Sequence, residues 1–182
     1  MNADDFSASL LDGKLRFGRY PTQNEVELLE QQGYGCFVDL TTWDEGLVAY
    51  ATASDTIVCR SPIVDQRVPA TPDELSRFAE ALALVHGVLA AREVSVYVHC
   101  RGGHGRSALF AACALLEQQM LWRSERDAQP TDLAALVLAR VRAAHQARRV
   151  MKPRWRRQGA PQTAAQKLFV HQHALQVAAA KR

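Results

Sequence analysis

A chain of 182 residues with 48% hydrophobic and 23% charged side chains has the length and composition of one globular domain, and it lies outside the disordered and fibrous classes. Its formal net charge is only +3, yet residues 1–55 hold three basic and ten acidic side chains while residues 56–182 hold nineteen and nine, so attraction for phosphate-rich partners belongs to the later part. Apolar runs such as Ala108 to Leu116 are too short to span a bilayer, the opening Met1-Asn2-Ala3-Asp4-Asp5 is acidic where a secretory leader is basic, and Cys36, Cys59, Cys100 and Cys113 show neither CxxC nor metal-ligand spacing. A single cytoplasmic domain over residues 1–182, with its core in about 15–180 and no metal or other cofactor, is the expectation.

In chain order, Leu15 to Tyr20 reads as a strand stopped by Pro21, and Thr22-Gln23-Asn24-Glu25 is a capping box that opens a helix through about Gln32. Cys36 to Leu40 is a compact apolar run without helical period, as in a buried parallel strand, and Ile57 to Ile63 reads as another. Thr71-Pro72-Asp73-Glu74 combines an N-cap, a first-turn proline and an acidic third position, so a helix is predicted to about Ala90 with Leu75, Phe78, Leu82 and Val85 on its apolar face. Val94 to Val98 alternates and is rich in β-branched residues, a strand that ends at His99-Cys100. Helices follow over Ala108 to Met120, over Leu133 to about Arg148, and from near Thr163. Strands alternating with helices predict an α/β fold with a central, mainly parallel sheet of four to five strands flanked by helices.

The chemistry concentrates in His99-Cys100-Arg101-Gly102-Gly103-His104-Gly105-Arg106-Ser107, placed where a strand becomes a helix. Free backbone N–H groups at such a junction, with Gly102, Gly103 and Gly105 letting the chain curl inward, make a cradle for phosphate. Arg106, six residues after Cys100, can close that cradle and grip two phosphate oxygens at once. A helix N-terminus and neighbouring cations favour the thiolate, so Cys100 is the candidate nucleophile and would carry a phosphocysteine intermediate. Eight basic residues and no acid occupy residues 140–157; this run is either a phosphate-attracting surface or a solvated helix face.

His-Cys-x5-Arg-Ser resembles the signature of the cysteine-based protein tyrosine phosphatases, and its central position in the chain is similar to the dual-specificity branch. That resemblance covers roughly Leu15 to the last helix, and it implies roles for further residues. Pro62-Ile63-Val64-Asp65 looks like the segment that carries the general acid, which would be Asp65; Asp73 is the rival, already explained as part of a helix start. Gly159 to Gln166 is similar to the glutamine loop, so Gln162 would position the hydrolytic water with help from Gln166, although Thr163-x-x-Gln166 is also a capping box. Ser107 matches the hydroxyl that bonds the thiolate and is also a candidate N-cap. His99 matches the histidine before the nucleophile, expected to support the loop and the thiolate without transferring protons.

Arg101 and His104 add basic character to the loop, which raises phosphoinositides and RNA 5′ ends as substrates beside phosphorylated proteins, unless the two side chains turn into solvent. No added loop that would deepen a phosphotyrosine pocket is legible. Cys59 is either a resolving thiol for Cys100 or an inert strand cysteine. The function expected is therefore two-step hydrolysis of phosphomonoesters by a tyrosine or dual-specificity phosphatase; the alternative from another class is an inactive phosphate-binding module that uses residues 140–157 to hold a phosphorylated or nucleic-acid partner.

Overall fold

The computed structural model describes residues 2–91, 93–122 and 129–180, except for the side chains of 119–122. Five strands form one sheet: β1 (Ser7–Leu10), β2 (Leu15–Arg19), β3 (Tyr34–Asp39), β4 (Ile57–Arg60) and β5 (Ser95–Cys100). Their spatial order is β1-β2-β5-β3-β4, with β1 antiparallel to β2 and every other pair parallel. Six α-helices among the described residues accompany it: α1 (Gln23–Gln31), α2 (Pro72–Ala91), α3 (Arg106–Trp122), α4 (Pro130–Gln146), α5 (Pro153–Gln158) and α6 (Ala164–Ala180).

The central strand β5 is buried from end to end because both faces of the sheet are covered. On one face, α1 closes a small cluster of Phe6, Val26, Leu29, Tyr34, Phe37 and Tyr97. On the other, α3 lies against β2 and β5 with α2, α4 and α6 around it. Ala108 to Leu116 of α3 are all buried, which is why that run reads as continuous Ala and Leu without a polar face; each large apolar side chain so covered stabilises the fold by about 1.5–3 kcal/mol. Register then fixes the site: Arg19 of β2 pairs with Cys100 and Asp39 of β3 with His99, so three parallel strands end together beneath the loop that follows Cys100.

The predicted architecture holds, with several differences of detail. The core begins near Ala3 rather than Leu15, since Ala3, Phe6 and Ala8 are buried and β1 adds an antiparallel edge strand; Ser-Ala-Ser-Leu is too short and small to announce itself. β4 ends at Arg60, before Pro62. On α2 the buried side chains are Phe78, Ala81, Leu82, Val85 and Val88, and Leu75 stands 43% exposed. The short α5, bounded by Pro153 and Gly159, lies in the stretch read only as a basic run. No helix among the described residues is long and apolar enough to cross a membrane.

Candidate active site

The segment from Arg101 to Gly105 joins the buried end of β5 to the first turn of α3 and folds back over Cys100. The Gly103 N–H donates to Cys100 Sγ at 3.3 Å, and Ser107 Oγ lies 3.4 Å from the same sulfur. Cys100 is 3% exposed, a thiol at the floor of a loop. Gly103 adopts φ +71°, and a Cβ there would lie 2.3 Å from the Arg19 amide nitrogen, so this position requires glycine for both conformation and space. Ser107 is the second residue of α3 and not its N-cap.

Arg106 opens α3 with a fully buried side chain. Its Nη1 donates to Glu45 Oε1 at 2.5 Å and to the Ile63 carbonyl at 2.9 Å, and its Nη2 donates to Glu45 Oε2 at 2.9 Å. Asp65 Oδ1 is 2.9 Å from the same Nη2, while its side chain remains 58% exposed. The predicted general-acid segment therefore does arrive beside Arg106. Arg106 Nε is buried without a partner among the described residues.

Sequence reasoning does not single out Glu45. It ends a single helical turn after Thr42, where its carboxylate accepts from the Thr42 N–H at 2.9 Å. Burial alone would raise its pKa, but hydrogen bonds from Arg106 and Thr42 prevail and hold the carboxyl below its ordinary range. Thr42-x-x-Glu45 could have marked a capped turn; nothing local marks its pairing with a residue 61 positions away.

His99 is fully buried and bonds through Nε2 to Tyr50 Oη at 2.7 Å, with Nδ1 3.7 Å from Asp39 Oδ1. Burial lowers its pKa to about 4, so the ring is neutral near pH 7. Its side-chain contacts run to Tyr50, Asp39, Tyr20 and Tyr97, and none among the described residues reaches the thiol.

Arg101 is exposed, as the solvent reading expected, whereas His104 turns inward. His104 Nδ1 lies 2.8 Å from His145 Nε2 of α4, and its ring stacks on Trp155 of α5 with centroids 4.8 Å apart. Burial and the nearby arginines lower His104 to about 4, and burial with His104 itself lowers His145 to about 3. The basic run is neither free surface nor wholly solvated: Arg148 is 4% exposed and donates to the Gly103 carbonyl at 3.0 Å, and Arg156 caps the carbonyls of Gln146 and Arg148.

Gln162 and Gln166 both reach the loop, since a Cβ on Gly105 would lie 3.4 Å from Gln162 Oε1 and 2.9 Å from Gln166 Nε2. Their situations differ. Gln166 is fully buried, its Oε1 accepts from the backbone of Gln162 and Thr163, and its Nε2 donates to the Arg67 carbonyl, so its amide is occupied by the capping box. Gln162 is half-buried, and among the described residues its side chain bonds Gln158 alone. Burial raises the Cys59 thiol above its ordinary value, and burial raises Cys36 beside it to about 12, as expected of inert strand cysteines.

The profile of the family described as "PTP-SAK: Swiss Army Knife protein, DSP-PTPase phosphatase domain" matches residues 5–169. "Putative tyrosine phosphatase 197R" of Invertebrate iridescent virus 6 is 44% identical over 108 residues, a segment that makes up 59% of this chain and 40% of the viral protein. This chain thus matches well under half the length of that relative. Among solved structures, Tk-PTP in its active form superposes with a TM-score of 0.64 at 22% identity, covering 93% of this chain and 97% of the other. PTPMT1 in complex with PI(5)P gives 0.61 at 16%, covering 93% and 95%. At these identities the structural likeness speaks for the fold. The family match runs from the first strand into the last helix and takes in the whole loop from Cys100 to Arg106, and the chain belongs to the cysteine-based protein tyrosine phosphatase superfamily, as a domain of the dual-specificity type.

Proposed function

We propose that the chain acts as one phosphatase domain that hydrolyses phosphomonoesters in two steps through phosphocysteine. Cys100 Sγ, as thiolate, attacks phosphorus while the bond from phosphorus to the ester oxygen breaks, and Asp65 in its acid form protonates that leaving oxygen. Water held by Gln162 then attacks the phosphocysteine, gives its proton to Asp65, and the S–P bond breaks with return of the thiolate. The Ser107 hydroxyl eases that departure by donating to sulfur. Backbone N–H groups of Gly102, Gly103, His104 and Gly105, with Arg106, hold the equatorial oxygens.

The observation that carries this reading is the convergence on one loop of a buried cysteine, the Gly103 N–H and Ser107 hydroxyl about its sulfur, and an exposed aspartate 2.9 Å from the arginine that closes the loop. A phosphorylated protein is the first substrate class. PTPMT1, solved with PI(5)P bound, shares the fold, which makes a phosphoinositide the second.

Turnover of an aryl phosphate by the purified chain tests the proposal. Cys100→Ser should abolish it, and Asp65→Ala should lower kcat by about a hundredfold, the usual contribution of a positioned acid. Phosphopeptide binding without any Cys100-dependent turnover, on peptide, phosphoinositide or RNA 5′-phosphate, would instead identify a binding module.

A further inference from the structure

Arg148 follows the end of α4, and its guanidinium is buried against the underside of the loop. Nη1 donates to the Gly103 carbonyl at 3.0 Å and Nη2 to the Phe6 carbonyl at 2.7 Å, while Nε has no partner among the described residues. No carboxylate among those residues forms an ion pair with it. The titratable groups that act on it are Arg19, Tyr97 and Cys100, and it acts in turn on His104 and His145. A buried cation held only by carbonyl dipoles is costly, and the usual remedy is a facing carboxylate. Of these groups, Cys100 is the one that the proposed reaction uses as an anion. Burial pushes the Arg148 pKa down, and the Cys100 charge opposes that fall.

The Gly103 residue links the two charges. Its carbonyl accepts from Arg148 while its N–H donates to Cys100 Sγ at 3.3 Å. We propose that Arg148 is a positioning residue and the second cation of the site: it fixes the Gly103 backbone over the sulfur, and its charge stabilises the Cys100 thiolate from below, as Arg106 does from the side. This inference rests on Cys100 being the nucleophile of the proposed reaction.

The test reads the thiol directly and needs no turnover. Alkylation of Cys100 by iodoacetamide is followed by mass spectrometry at about pH 6 and about pH 10, where exposed thiols are mostly protonated and mostly ionised respectively. Arg148→Gln keeps N–H donors for a carbonyl but removes the charge; Arg148→Lys keeps the charge; Arg149→Gln removes the same charge from the exposed neighbouring residue. At about pH 6 the Arg148→Gln rate should fall about tenfold, Arg148→Lys should stay within about threefold of the parent, and Arg149→Gln should match it; at about pH 10 the four should converge. If Arg148→Gln exposes the buried Cys36 and Cys113 to alkylation, Arg148→Met, which fills the volume without a polar head, replaces it. Equal rates for the parent and the neutral variant at about pH 6, or equal slowing in the lysine variant, would overturn the inference while leaving Cys100 as nucleophile. A parent protein whose Cys100 is unreactive at about pH 6 would overturn the proposed function instead.

Discussion

Alanine in place of Gly103 isolates one backbone position on which loop shape and chemistry both depend. At φ +71° an L-residue costs about 1 kcal/mol, and the added methyl would sit 2.3 Å from the Arg19 nitrogen and 2.4 Å from the Gly18 carbonyl carbon. Both obstacles are backbone of the adjacent parallel strand, so the loop has to lift, and overpacking of this kind adds about 1–3 kcal/mol. The sum, about 2–4 kcal/mol, corresponds to a melting temperature lower by roughly 10 °C for a domain of this size. Lifting the loop also withdraws the Gly103 N–H from Cys100 Sγ, and loss of one such preorganised donor is worth about a hundredfold in kcat. The neighbouring Gly102 is the control: a Cβ there meets first the His104 Cδ2 at 3.2 Å, a side-chain atom rather than backbone and a longer approach. Gly102→Ala should therefore lose less than about 1 kcal/mol and at least ten times less activity than Gly103→Ala. Thermal melting and aryl phosphate kinetics on the two variants decide the matter. Indistinguishable losses in the pair would refute the assignment of the tight approach to Gly103.

Glu45→Gln should cost about 3 kcal/mol in chemical denaturation, because it leaves the buried Arg106 charge without its carboxylate, and should raise KM for an aryl phosphate as the guanidinium loses its fixed direction; unchanged stability would show that Ile63 and Asp65 suffice. Glu117 accepts from His173 Nε2 at 2.5 Å and pairs with His86 Nδ1 at 3.0 Å, joining α2, α3 and α6. Burial would raise this carboxyl, but the two histidines bring it down from 4.5 to about 2, so its stabilisation is fully present above about pH 4.5 and is lost as pH falls towards about 2. Glu117→Gln should melt lower than the parent at neutral pH and lose less on acidification through that window; parallel melting curves would refute the linkage.

The sequence exposes what is contiguous. Cys100, the glycines and Arg106 fall within seven residues between a β-branched run and an Ala/Leu run, so both loop and topology can be read locally, and Asp65 and Gln162 become visible once the loop is recognised. Glu45 and Arg148 lack such a signal because their partners lie 61 and 45 positions away: a capped turn and a basic run look alike whether or not a buried guanidinium waits across the fold. His104 shows the same limit in reverse, since its inward turn depends on His145 and Trp155 rather than on its own neighbours. Leu75 fits helical spacing as well as Phe78 does, yet one stands 43% exposed and the other 2%, a difference set by tertiary packing rather than by spacing.

The loop over Cys100 takes its stays from Phe6 and Arg19 near the beginning of the chain and from His145, Arg148 and Trp155 near its end. A chain ending after α3 would hold Cys100, Arg106 and the stays from Phe6 and Arg19, but would lack the bracing that His145, Arg148 and Trp155 give the loop.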